Sequence, residues 1–99
     1  MSQEESEKII RILRQNQIAF AAIFGSRAKG NANAQSDYDL LIDAHPQARF
    51  SLFDHVGLKD ELESALKAKF DLVTLGGLNR HMRDSVTKTM KVLYDERKR

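Results

Sequence analysis

The sequence contains no cysteine, which excludes both a disulfide framework and metal sites built on thiolates. No stretch approaches the ~20 apolar residues that a membrane-spanning helix needs. The first residues are polar and acidic, unlike the basic and then apolar start of a signal peptide. We therefore expect a cytoplasmic protein that makes no contact with a membrane.

Charge of one sign is not in large excess either. The chain has 16 Lys and Arg residues against 14 Asp and Glu residues, a formal net charge of +2. Its 41% hydrophobic and 30% charged residues are ordinary for a globular protein and argue against disorder. We expect no direct binding of nucleic acid, and we predict a single domain over residues 1–99.

Helical and strand patterns alternate along the chain. Capping boxes at Ser2 and Ser51 predict two helix starts, each followed by apolar residues at helical spacing. Apolar runs of strand length at 18–24, 38–43 and 70–75 predict three strands. The order indicates an α/β (α+β) fold, in which helices flank a small mixed sheet of three or more strands.

Helical spacing also predicts which residues pack. The helix after Ser51 is expected to direct six apolar side chains inward: Phe53, Val56, Leu58, Leu62, Ala65 and Leu66. A final amphipathic helix is predicted from residues that recur at intervals of three or four: Leu78, Met82, Val86, Met90 and Leu93. Tyr38 and Tyr94 are interpreted as packing residues.

The first apolar run stops at a Gly-Ser turn, Gly25 and Ser26, which opens a short basic segment. Backbone N–H groups at such a turn can surround an anion, and the Ser26 hydroxyl adds a donor. The alternative is a plain strand-to-helix turn with Ser26 as its N-cap. A P-loop is excluded, because Asn31 and Ala32 occupy the positions of its Lys and Ser/Thr.

Two carboxylates, Asp37 and Asp39, follow at strand spacing. Side chains two apart on a strand share a face, with Cα atoms ~6.5–7 Å apart, so both can converge on Mg²⁺. The alternative makes Asp37 a turn residue and Asp39 an exposed strand position. An EF-hand is excluded because Ile42 stands at the position of its glycine. Asp43, further along the strand, is interpreted as structural.

A third acid, Asp71, lies near the start of the last apolar run, where strand propensity disfavours aspartate. If the third strand lies beside the second, Asp71 can complete the site. It can then act as a metal ligand and as a base toward an attacking hydroxyl. The alternative is a carboxylate at a strand edge or end.

Together these motifs resemble the nucleotidyltransferase superfamily that includes the DNA polymerase β palm, and more closely the minimal nucleotidyltransferase (MNT) family. The resemblance runs from about Ile18 to Leu93. Its motifs are Gly-Ser-Arg-Ala-Lys-Gly at 25–30, Ser-Asp-Tyr-Asp-Leu-Leu-Ile-Asp at 36–43 and Phe-Asp-Leu-Val at 70–73. Lys29 departs from the many relatives that have arginine there, so a bidentate contact is lost.

The resemblance implies transfer of a nucleoside monophosphate, usually from ATP, to an acceptor hydroxyl with release of pyrophosphate. It implies that Asp37 and Asp39 hold two Mg²⁺ ions and that Asp71 completes the acceptor-side metal. It also implies that the triphosphate is bound by a set of four residues: Gly25, Ser26, Arg27 and Lys29.

MNT proteins are commonly antitoxins of HEPN-domain toxins, and some adenylylate a toxin tyrosine. The resemblance thus implies a heteromeric complex with a HEPN toxin, which is also the expected acceptor. Two alternatives remain open. One is a non-catalytic antitoxin that acts by occlusion alone, which the presence of all three acids disfavours. The other is an antibiotic-type enzyme acting on a small molecule, which the lack of room for an acceptor domain disfavours.

Overall fold

The computed structural model describes residues 2–25 and 37–97. Their helices are α1 (Gln3–Gln15), α2 (Leu52–Leu66) and α3 (Arg80–Thr89), and their strands are β1 (Ile18–Phe24), β2 (Tyr38–Ala44), β3 (Phe70–Thr74) and β4 (Lys91–Asp95). A 3₁₀ turn, Leu75–Gly77, ends β3 one residue earlier than predicted. The short basic segment that follows Gly25 lies outside the described residues. None of the described helices has the length and apolar character of a membrane span.

The four strands form one mixed sheet in the order β3-β2-β1-β4. β1 runs antiparallel to both β2 and β4, whereas β2 and β3 are parallel and are connected through α2. A parallel pair needs such a crossover, since a tight turn cannot return the chain to the same end of the sheet. The predicted sheet flanked by helices is confirmed.

Both predicted capping boxes are present. The Glu5 N–H donates to Ser2 Oγ at 3.1 Å, and the Ser2 N–H donates to Glu5 Oε1 at 3.1 Å. At α2, the Asp54 N–H donates to Ser51 Oγ at 3.2 Å, and the Ser51 N–H donates to Asp54 Oδ2 at 2.8 Å. Each box satisfies two backbone donors that the first helical turn leaves without intrahelical partners.

The sheet is covered on both faces, and β1 is therefore buried on both sides, as its continuous apolar sequence predicts. One face packs against α1 and α2, around Ile9, Leu13, Leu40, Leu58 and Leu62. The other face packs against α3 and the segment before it, around Phe20, Ala22, Leu41 and Leu78. Tyr38 and Tyr94 belong to the first core, which confirms them as packing residues.

The inward face predicted for α2 is wrong at three positions. Phe53 is 89% exposed, Val56 is 51% exposed and Ala65 is exposed, whereas Leu58 and Leu62 are fully buried. At 3.6 residues per turn, Phe53 and Val56 point roughly 140–160° away from Leu58 around the helix axis. The prediction placed six apolar residues on one inward face, although the apolar residues of this helix cover more than one face.

The helix predicted to continue to Leu93 is also wrong. α3 ends at Thr89, Met90 has extended backbone angles, and Lys91–Asp95 forms β4 along β1. Tyr94 anchors this strand, because its hydroxyl donates to the Ile18 carbonyl at 2.5 Å. Tertiary pairing with β1 has overridden the helical periodicity, a common outcome when a short segment is rich in β-branched and aromatic residues.

Candidate active site

Asp39 and Asp71 lie directly opposite each other on the parallel strands β2 and β3. Neighbouring strands are about 4.8 Å apart, and paired residues present their side chains on the same face. On its other side Asp39 pairs with Phe24, near the end of β1. The third strand therefore does lie beside the second, which is the condition for Asp71 to join the site, and this pairing brings the two acids together.

Gly25 follows Phe24 and approaches the Asp39 carboxylate with its backbone. Its φ of +72° lies in the left-handed region, where residues with a Cβ are strained. A Cβ built on Gly25 would lie 2.3 Å from Asp39 Oδ2, well inside van der Waals contact. Glycine therefore leaves the space that the carboxylate occupies, in addition to allowing the turn.

The electrostatics of the site centre on Asp39. Burial raises the pKa of Asp39 above its ordinary 3.8, and the negative charges of Asp71 and then Asp37 raise it further. Each cause acts against the ionised form of the carboxyl group. A cation placed between these carboxylates would remove both the repulsion and part of the cost of burying charge.

Asp37 lies just before β2 and is exposed, although its charge acts on Asp39. Within residues 2–25 and 37–97, no three His, Cys, Asp or Glu side chains form a group that could hold a metal ion. The ligand set of Asp37, Asp39 and Asp71 therefore stays a prediction. The remaining predicted phosphate contacts, Ser26, Arg27 and Lys29, lie outside the described residues.

Asp43 belongs to a different cluster at the far end of β2. The Arg97 guanidinium lies 4.1 Å from the centroid of the Phe20 ring and pairs with Asp95 at 2.9 Å. The hydrogen bond to Asp95 raises the pKa of Arg97, and the charge of Asp43 acts in the same direction. This surrounding agrees with the structural interpretation of Asp43.

An aromatic pair lies behind the two facing carboxylates, and no pattern in the sequence predicts it. Tyr38 and Phe70, the residues before Asp39 and Asp71, stack with ring centroids 4.7 Å apart and an angle of 13° between their planes. The sequence identifies Tyr38 as a packing residue, but nothing in it pairs residue 38 with residue 70. Only the register of β2 and β3 reveals this contact.

Several known proteins are similar to this chain in sequence and in structure. Residues 7–99 match the family described as Polymerase beta, Nucleotidyltransferase. A predicted protein adenylyltransferase of Methanocaldococcus jannaschii is 35% identical over 83 residues, which are 84% of this chain and 87% of that protein.

Two solved structures extend the comparison. A chain in the crystal structure of a toxin–antitoxin with AMP-PNP is similar with a TM-score of 0.79 and 28% identity, over 91% of this chain and 73% of that one. The second is the structure of a tri-AMPylated Shewanella oneidensis HEPN toxin in complex with MNT antitoxin. One chain of that structure is similar with a TM-score of 0.75 and 27% identity, over 96% of this chain and 73% of that one. The match over residues 7–99 confirms the resemblance seen in the motifs: this chain belongs to the polymerase beta nucleotidyltransferase family.

Proposed function

We propose that this chain transfers AMP from ATP to a tyrosine hydroxyl of a HEPN toxin and in this way acts as its antitoxin. The observation that carries the proposal is the direct pairing of Asp39 with Asp71 at the Gly25 turn. The relatives support it, since one is a predicted protein adenylyltransferase and another structure contains an AMPylated HEPN toxin with MNT antitoxin.

Magnesium is part of the proposal, and the facing carboxylates of Asp39 and Asp71 support it. Mg²⁺ prefers oxygen ligands, binds through a few carboxylates, and completes its coordination with water and substrate phosphate oxygens. The raised pKa of Asp39 reflects burial and repulsion that a divalent cation would relieve. Two Mg²⁺ ions would be held by Asp37 and Asp39, with Asp71 on the acceptor side. When bound, they would neutralise phosphate charge and polarise the α-phosphate.

The residues of the site then have two further roles, proton transfer and binding of the triphosphate. Asp71 accepts the proton of the tyrosine hydroxyl, whose oxygen forms a bond to the α-phosphorus of ATP. The bond from the α-phosphorus to the bridging oxygen breaks, and pyrophosphate leaves with that electron pair. Gly25 and Ser26 bind the triphosphate through backbone and hydroxyl donors, and Arg27 and Lys29 offset its negative charge.

The test uses ATP labelled at the α-phosphate, Mg²⁺ and a purified HEPN toxin that forms a complex with this chain. We expect labelled toxin whose mass increases by whole AMP units, and at least ~100-fold less label with Asp39→Asn. Asp43→Asn is the matched control, because it makes the same change on the same strand but within the Arg97 cluster. We expect it to label the toxin as the parent does.

Other outcomes identify the alternatives. Equal labelling by the parent and Asp39→Asn would overturn the proposed catalysis. Neutralisation of the toxin by Asp39→Asn without any label would indicate an antitoxin that acts by occlusion. Label on a small hydroxyl compound in the absence of toxin would indicate a small-molecule enzyme.

A further inference from the structure

The aromatic pair Tyr38–Phe70 occupies the step of the parallel ladder immediately before the step that pairs Asp39 with Asp71. Because side chains alternate along a strand, the rings point toward α1 and α2 while the carboxylates point to the opposite face. The rings and the carboxylates thus belong to consecutive residues of the same two strands and lie on opposite sides of the sheet. Any shift of one ring past the other moves the carboxylates as well.

The pair is buried and is held by other parts of the fold. Tyr38 is 2% exposed and Phe70 is 3% exposed. The Tyr38 hydroxyl donates to the Glu5 carboxylate, which also caps α1. The Phe70 N–H donates to Glu63 Oε2 on α2 at 2.9 Å. Each ring residue therefore has its own bond to one of the helices that cover this face.

β3 needs such an anchor more than the two central strands do. It lies at the edge of the described sheet, has five residues, and pairs only with β2, in the parallel arrangement that is slightly weaker per residue. A slip of one residue would turn Asp71 to the opposite face and separate it from Asp39. The register is first defined at the start of the two strands, where the Tyr38 N–H donates to the Lys69 carbonyl at 2.9 Å. The ring stack involves the same Tyr38 and the residue after Lys69, Phe70.

We propose that Tyr38 and Phe70 are positioning residues, whose stacked rings fix the register of β3 and thereby the separation of the Asp39 and Asp71 carboxylates. The proposal rests on the proposed function insofar as it concerns the metal that these carboxylates would hold. Burial alone would make the two rings ordinary core residues. A positioning role predicts that loss of the stack weakens cation binding and loosens β3 locally. A similar loss of core packing elsewhere should not have these two effects.

The test compares Phe70→Leu and Tyr38→Leu, which remove the stack, with Tyr38→Phe, which keeps it. Leu13→Val is the matched control, since Leu13 is fully buried in the same core. It lies near the C-terminal end of α1, whereas Glu5 lies near the N-terminal end. Mn²⁺ alone serves as the probe, and its binding is followed by electron paramagnetic resonance. We expect the two Leu variants of the stack to bind Mn²⁺ about 10-fold more weakly or worse, and Tyr38→Phe and Leu13→Val to stay within about twofold of the parent.

Amide hydrogen exchange without metal supplies the second measurement. In Phe70→Leu the amides of 71–74 should exchange about tenfold faster than in Leu13→Val, while those of β1 exchange alike in both variants. Exchange in 71–74 that is no faster than in Leu13→Val would overturn the proposal, as would equal loss of Mn²⁺ binding in the control. A parent chain that binds no Mn²⁺ would count against the metal of the proposed function, and the exchange comparison would still decide the positioning role.

Discussion

The backbone of Gly25 lies against the carboxylate of Asp39, so close that a Cβ would come within 2.3 Å of Oδ2. We predict that Gly25→Ala lowers the free energy of unfolding by about 1–3 kcal/mol, because φ is +72° there and the carboxylate must move. AMP transfer should fall by about tenfold or more, since a displacement of about 1 Å in a site can cost 100-fold. Urea unfolding and toxin labelling check the two effects.

Gly57→Ala is the control for this substitution. Gly57 lies inside α2, where a Cβ would meet nothing within 4 Å. Alanine should stabilise the helix by about 0.5–1 kcal/mol and leave AMP transfer unchanged. If both glycine variants behaved alike, the close approach of Gly25 to Asp39 would have no functional meaning.

Asp39→Asn should have a different pH dependence of the free energy of unfolding from that of the parent. The raised pKa means that folded Asp39 keeps its proton to higher pH than unfolded Asp39 does. Its contribution to the free energy of unfolding therefore decreases as pH rises from about 3.8 through the folded-state pKa, and then stays constant. Asparagine does not ionise, so the variant should gain on the parent across this window.

Urea unfolding without divalent cations, at a series of pH values from about 3.5 to 7, measures that gain. Asp43→Asn, carried through the same series, reports the general effect of removing one negative charge from β2. A difference between Asp39→Asn and the parent that is independent of pH, or that favours the parent as pH rises, would contradict the electrostatic description of the site.

Added Mg²⁺ should raise the thermal midpoint of the parent by relieving the repulsion around Asp39. At about ten times the dissociation constant, binding to the folded state alone adds about 1.4 kcal/mol, or roughly 6–11 °C for a chain of this size. Asp39→Asn should show little of this increase in differential scanning calorimetry. An equal increase in both proteins would place the cation elsewhere.

The exposed side of α2 predicts a contrast between two apolar residues. Phe53→Ala should change the free energy of unfolding by no more than about 0.5 kcal/mol, because the side chain is almost fully in water. Leu58→Ala should cost about 2–5 kcal/mol, because Leu58 is fully buried. Urea unfolding of both variants decides, and a large loss with Phe53→Ala would mean that this face is covered in solution.

Much of this fold could be predicted from local sequence, because local rules determine it. The capping boxes at Ser2 and Ser51 and the doubly buried strand β1 follow from neighbouring residues alone. The pairing of β4 with β1 could not be predicted, since the segment 91–95 continues a helical periodicity and only the free edge of β1 makes it a strand.

The candidate site could likewise be predicted from the sequence only in part. The residue types and their spacing lead to the prediction that Asp37, Asp39 and Asp71 belong to one site, and strand adjacency brings Asp39 and Asp71 together. The contact of Gly25 with Asp39 and the stack of Tyr38 on Phe70 depend on register between strands, which no local pattern encodes. The exposed position of Asp37, outside the strand, also depends on where β2 begins.

The bond from Tyr94 to Ile18 joins positions that are 76 residues apart along the chain. Bringing such distant segments together costs loop-closure entropy before their contacts can form, whereas the β2–α2–β3 unit forms over a much shorter separation. We therefore expect β4 to dock after the folding transition state. Tyr94→Phe should accelerate unfolding and leave the folding rate nearly unchanged, so the strand that completes the sheet controls how long the native state persists.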